Sequence, residues 1–177
     1  MPAAEAIFRA KEGAEDSEQL GAKDLSSKNL TQKDVVVGLT ASGQTPYVLG
    51  GLKYAKGQGA ATLAITCTKE PATAGWADIS LTALVGPEVV TGSTRMKAGT
   101  AQKLILNMLS TGAMIKLGKV YGNLMVDVKA SNKKLEERAR RIVMTVTGCD
   151  KATAQQALAK TGGRAREAID LLGRQHD

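Results

Sequence analysis

Apolar residues fall in short β-branched runs separated by longer stretches with helical spacing. Val35 to Leu39 is an unbroken apolar run, the pattern of a strand buried on both faces. Pro46 to Gln58 has helical spacing, with proline in its first turn and Gly57 and Gly59 at its end. A second run, Thr62 to Cys67, predicts another buried strand. Ile79 to Val85 predicts a third, after a loop holding Pro71 and Gly75. Strand, helix and strand joined by short links predict a right-handed parallel unit, hence an α/β fold with helices on both faces of the sheet.

The flanks read as helix and loop. Met1 to Ala10 predicts a short helix, Lys11 to Asp16 a polar corner, Ser17 to Leu25 a weak helix and Ser26 to Asp34 a polar connection. A long helix is predicted from Thr94 to Lys116, with Leu104, Met108, Leu109 and Ile115 at helical spacing. Asn132 to Thr147 predicts another, stopped by Gly148. Asp150 to Gly173 reads as two short amphipathic helices around Gly162 and Gly163. The expected organisation is an α/β domain over residues 1–147 and a small helical appendage over 148–177. Three strands make a thin sheet where a doubly wound domain usually has five or six. The chain reads as though its first strands were absent or supplied by another chain.

Composition narrows the function classes. An apolar fraction of 43% in 177 residues suits a soluble globular protein rather than a disordered one. With only 3% aromatics, packing must rely on Ala, Gly, Val and Leu. The net charge of +7 fits either a solvated lysine excess or attraction of anionic ligands. No stretch interleaves basic residues with aromatics, so no nucleic-acid partner is expected. Cys67 and Cys149 lack metal-site spacing and read as neutral thiols rather than a disulfide. The single histidine, His176, near the C-terminus, argues against a histidine-based metal site or triad. No run has the length of a membrane span and no signal peptide opens the chain. No membrane partner is therefore expected, and the cytoplasm is the default location.

The candidate chemistry lies at two strand-to-helix corners. Ligands of open parallel sheets bind beyond the carboxyl ends of the strands, where Thr40 to Thr45 stands. Amides at the start of the next helix attract anions; Thr40, Ser42 and Thr45 add hydroxyls, and Gly43 lets the backbone come close. No Walker lysine follows, so a phosphomonoester suits the corner better than a nucleotide. A plain capped turn explains the same residues. The second corner, Pro87 to Thr100, opens the long helix. Ser93 or Thr94 can cap it, while Arg95 and Lys97 put positive charge against the helix dipole. These two cations either answer an anion or carboxylate, or point to solvent.

The segments "EGAED", "DVVVGLTASGQTPYV", "VVTGSTRMKAGTAQKLILNMLSTGAMIKLGKVYGNLMVDV" and "TGCDKATAQQAL" together resemble the N-acetylmuramic acid 6-phosphate etherases, bacterial members of the sugar-isomerase (SIS) superfamily. The resemblance covers nearly the whole chain and implies a partial three-layer parallel-sheet SIS-type fold with a C-terminal bundle of ubiquitin-associated-like type. The implied activity is cofactor-independent and metal-independent cleavage of the D-lactyl ether of N-acetylmuramic acid 6-phosphate. Its products are N-acetylglucosamine 6-phosphate and D-lactate, as in cell-wall amino-sugar catabolism and peptidoglycan recycling. Two carboxyls with separated pKa values suit such proton transfers. By this resemblance Glu15 is a catalytic acid or base, and Thr40, Ser42, Gly43 and Thr45 hold phosphate or sugar. Glu88, Ser93, Thr94, Arg95 and Lys97 line the pocket or a dimer seam. A homodimer acting on a phosphorylated amino sugar is implied. The chain departs from the family at its front, where a first phosphosugar loop and a second glutamate have no counterpart, so a truncated form is expected. Gln44 also stands where relatives often carry arginine. The alternative is a non-catalytic phosphosugar-binding regulatory module, since animal relatives sense sugar phosphates on the same fold.

Overall fold

The computed structural model describes Arg9, residues 12–128 and residues 130–173. The helix predicted over Met1 to Ala10 lies, apart from Arg9, outside the described residues, as does His176. The chain divides into two compact units, Met1–Leu106 and Asn107–Asp177.

The first unit is the α/β part. A short 3-10 turn, Ala14–Asp16, leads into α1, Glu18–Ser26, whose Ser17 side chain caps it by accepting the Leu20 N–H at 3.1 Å. Then come β1 (Val35–Leu39), α2 (Pro46–Gly57), β2 (Ala61–Thr66) and β3 (Ile79–Thr82). The strands form one parallel sheet in the order β1-β2-β3, with Val35 opposite Ala61 and Leu63 opposite Ile79. The predicted α/β class and parallel unit are therefore observed.

Only β2 is buried on both faces. Its Thr62, Leu63, Ala64, Ile65 and Thr66 are all buried, and fully burying a Leu or Ile side chain contributes about 1.5–3 kcal/mol. The expectation of a doubly buried β1 is corrected: β1 has one strand neighbour, and its Val35 is 64% exposed. β3 stops at Thr82, opposite Thr66, short of the predicted Val85. An unbroken apolar run does not distinguish a central strand from a flanking one.

Helix α2 packs on β1 and β2, and α1 packs on α2. Close approach of the two helices depends on glycine. A Cβ on Gly50 would lie 1.9 Å from the Glu18 carbonyl oxygen. The seam also carries the Lys53–Glu18 ion pair at 2.6 Å and a Tyr47 hydroxyl donating to Asp24 at 3.0 Å. At the base of the sheet, Asp78 Oδ2 accepts from the Thr62 N–H and hydroxyl, each at 2.8 Å. These bonds hold the Asp78 carboxyl below the usual carboxylate range, first through the Thr62 amide and then its hydroxyl.

Helix α3 spans Lys97–Lys116 and contains the division between the units. Leu104, Met108, Leu109 and Ile115, which gave its spacing, are all exposed in the single chain. The second unit continues with a hairpin of β4 (Val120–Tyr121) and β5 (Leu124–Met125), which the apolar pattern did not reveal. Three helices follow: α4 (Lys133–Thr147), α5 (Lys151–Lys160) and α6 (Ala165–Gly173). Asn132 caps α4 through Oδ1 and the Leu135 N–H at 3.0 Å, and Gly148 ends it in the left-handed conformation. Asp150 caps α5 through the Thr153 N–H at 2.7 Å. Their shared core holds Val126, Ala139, Ile142, Val143, Leu158 and Leu172. No helix of the described residues is long and apolar enough to cross a membrane.

Candidate functional site

The first corner grows directly out of the sheet. The Thr40 N–H donates to Ile65 O at 3.1 Å, extending the ladder by one residue and burying Thr40 to 5% exposure. Its hydroxyl then lies 2.7 Å from Thr45 Oγ1 and 3.3 Å from Ser42 Oγ, and accepts the Gly43 N–H at 3.2 Å. Ser42 Oγ accepts the Gln44 N–H at 3.3 Å. Thr45 is the residue before α2, yet its side chain makes no capping bond; its carbonyl accepts the Val48 and Leu49 N–H groups instead. The Thr45 hydroxyl is thus turned toward Thr40 and away from capping duty. Three hydroxyls carry three protons, and their two mutual contacts use at most two. At least one O–H remains to donate to an incoming acceptor.

A loop from the next crossover braces this corner. Gly43 has φ +70°, which favours glycine. Its carbonyl accepts the Thr73 N–H at 3.2 Å, and a Cβ there would lie 2.3 Å from Pro71 Cβ. The Cys67 N–H donates to Ala41 O at 3.0 Å. The corner is therefore backed by Cys67, Pro71 and Thr73, none of which the sequence reading tied to it. These contacts carry no local sequence signal because they join segments about thirty residues apart.

At the second corner the predicted cap is corrected. Helix α3 starts at Lys97, not Thr94, and neither Ser93 nor Thr94 caps it through its side chain. The Glu88 carboxylate does so, with Oε2 accepting the Lys97 N–H at 3.0 Å and Oε1 accepting the Ala98 N–H at 3.0 Å. Thr94 contributes its backbone carbonyl to the Gly99 N–H, and the Ser93 N–H donates to Val90 O. The Lys97 ammonium donates to Pro87 O at 2.7 Å. Arg95 is exposed and forms no ion pair among the described residues. The Ala98 amide, then the Lys97 amide, hold the Glu88 carboxyl below its usual range. Burial, and then the nearby Glu88 charge, push the Cys67 thiol up. The Cys67 amide is bonded to Ala41 of the first corner, and its thiol feels the charge of Glu88 at the second.

The structure thus brings Thr40, Ser42, Gly43 and Thr45 into one cluster and Glu88 and Lys97 into another. Glu15 is in neither. It is exposed on the 3-10 turn Ala14–Asp16, which packs against α2, and no hydrogen bond ties it to the corner among the described residues. Chemically, the first corner offers hydroxyl donors at the carboxyl end of a parallel sheet, an arrangement suited to an oxyanion.

The family model of the SIS domain matches residues 12–112. That of the C-terminal lid domain of glucokinase regulatory protein matches residues 122–169. An N-acetylmuramic acid 6-phosphate etherase of Clostridium beijerinckii is 60% identical over 168 residues, covering 95% of this chain and 55% of the relative. One of Pasteurella multocida is 58% identical over 168 residues, covering 95% of this chain and 56% of the relative. The chain spans about half the length of the curated relatives it matches. The SIS match alone takes in more than half of the chain, and the protein belongs to the SIS-domain family.

Proposed function

We propose that this chain supplies the phosphosugar corner of a cofactor-independent lyase cleaving the D-lactyl ether of N-acetylmuramic acid 6-phosphate. The observation that carries the reading is the hydroxyl cluster of Thr40, Ser42 and Thr45 in a chain 60% identical to an enzyme of that name. Phosphate is held by these hydroxyls and by the backbone around Gly43. The sugar opens, and its aldehyde acidifies the C2 proton. A base removes that proton, and the C3–O bond breaks as an acid protonates the departing D-lactate. Water then adds at C3, with the C2 proton returned, to give N-acetylglucosamine 6-phosphate. Glu15 is the acid or base that this chain contributes. Ser93, Thr94, Arg95 and Lys97 line the ligand site or the seam of a cytoplasmic homodimer. The exposed apolar face of α3, including Met108 at 64% exposure, supports a dimer because burying it removes apolar surface from water.

A second reading, a non-catalytic phosphosugar-binding module, is favoured by one observation: the match of residues 122–169 to a lid domain named for a regulatory protein. Incubation with N-acetylmuramic acid 6-phosphate, with the N-terminal half of a relative that carries the second glutamate supplied alongside the chain, separates the two. Release of D-lactate that Glu15→Gln abolishes supports the lyase. Phosphosugar binding without lactate release supports the module.

A further inference from the structure

We propose that Glu88 is a positioning residue, whose carboxylate clasps the base of the loop Val89–Met96 and so fixes where Ser93, Thr94 and Arg95 stand. The clasp is read from geometry alone. What the loop is held for rests on the phosphosugar reading above.

Three bonds close the base of the loop. Glu88 Oε2 and Oε1 accept the Lys97 and Ala98 amides at 3.0 Å each, and the Lys97 ammonium reaches back to Pro87 O at 2.7 Å. At the helix end, the Thr94 and Met96 carbonyls also accept the Gly99 and Thr100 N–H groups at 3.0 and 3.1 Å, while the residues nearer Glu88 have no such tie to the helix among the described residues. Val89, Val90 and Met96 are 69%, 64% and 61% exposed, so apolar burial does not anchor them. Within the loop, the Ser93 N–H donates to Val90 O at 3.0 Å, which shapes a turn but does not tie it to the unit. The loop's position is therefore set at its two ends, and Glu88 joins those ends.

A carboxylate suits this place for a physical reason. The two amides are adjacent donors at the positive end of a 20-residue helix. Lys97 adds positive charge to the same turn. A bidentate anion satisfies both donors and offsets the Lys97 charge. A glutamine carbonyl would satisfy one amide and set its own NH2 against the other. With both oxygens committed to the helix, Glu88 acts through the loop and does not touch ligand. Its depressed carboxyl agrees with that commitment.

The test uses the full chain and four variants: Glu88→Gln, Glu88→Asp, Lys97→Pro and Lys97→Ala. Lys97→Pro deletes the amide donor at a first-turn position where proline is accepted, and Lys97→Ala controls for the lost ammonium. Amide exchange at Ala98, trypsin cleavage after Arg95 and affinity for N-acetylglucosamine 6-phosphate are measured for each. Glu88→Gln should speed exchange and cleavage and, through the loosened loop, weaken affinity by about tenfold. Glu88→Asp should recover part of each. Lys97→Pro should weaken affinity further than Lys97→Ala does, which a ligand-contacting Glu88 would not produce. The clasp is overturned if exchange and cleavage in Glu88→Gln match the wild type. The positioning role is overturned if the clasp opens while affinity stays the same, or if the two Lys97 variants bind alike. A wild type that binds no phosphosugar defeats the phosphosugar reading and with it the positioning role, while exchange and cleavage still decide the clasp.

Discussion

Thr40 Oγ1 and Thr45 Oγ1 lie 2.7 Å apart, joining the last residue of the strand ladder to the residue that precedes the following helix. That contact closes the corner, and it makes Thr40 structural as well as chemical. Thr40→Val should lower stability by about 1–3 kcal/mol, since it strips a buried cluster of its shared hydroxyl. It should also weaken phosphosugar binding. Urea denaturation followed by calorimetric titration measures both.

Ser42 is exposed, so its replacement separates the two effects. Ser42→Ala should cost about 1.5–3 kcal/mol of binding to a charged phosphate, or roughly ten- to over a hundredfold in affinity. Stability should fall by no more than about 1 kcal/mol, the usual scale for a lost local side-chain bond. Equal losses in both measurements would mean that Ser42 is only part of the turn.

Gly43 tests the brace behind the corner. Gly43→Ala forces a Cβ to within 2.3 Å of Pro71 and keeps a left-handed backbone that costs an L-residue about 1–2 kcal/mol. Chemical denaturation should show a loss at least that large. An unchanged midpoint would mean that the Pro71–Thr73 loop does not bear on the corner.

Asp78 and Glu88 predict the acid limb of stability. Both carboxyls sit lower in the folded chain than in the unfolded one, so near the ordinary carboxylate range the unfolded state binds more protons. Their contribution is fully present above that range and is lost as pH falls through the depressed folded values. Denaturation midpoints at a series of pH values should show this fall, and Asp78→Asn should flatten it. A steeper fall in the variant would contradict the assignment.

The apolar face of α3 predicts self-association. Sedimentation should find a dimer, and Leu104→Glu with Met108→Glu should shift it toward monomer. Both side chains are more than half exposed, so charge there costs little in the monomer. A compact wild-type monomer at high concentration would count against the dimer.

Much of the fold was legible because its signals are local. Val35–Leu39 is observed at the predicted residues, and Asn132, Gly148 and Asp150 bound their helices as cap chemistry requires. The β4–β5 hairpin was missed because strands of two residues are too short to show alternation; the Gly122-Asn123 pair between them was its one signal. The same limit applies to the site. The hydroxyls of the first corner stand close in sequence and meet in space. The Glu88 cap joins residues nine and ten positions apart, and the Gly43–Thr73 bond spans thirty, so neither had a local pattern to reveal it. Helix-start rules pointed to Ser93 and Thr94 because they describe hydroxyls next to the helix, not a carboxylate returning from the loop after β3.

On the proposed function, the Thr40–Thr45 corner holds a phosphate. The most direct measurement is a calorimetric titration of the wild-type chain with N-acetylglucosamine 6-phosphate and, in parallel, with N-acetylglucosamine. A charged phosphate received by hydroxyl and amide donors should bind at least about tenfold more tightly than the neutral sugar. Ser42→Ala should remove most of that difference without changing affinity for the neutral sugar. Equal affinities of the two sugars for the wild type would contradict the claim and leave the corner a closed turn at the end of β1.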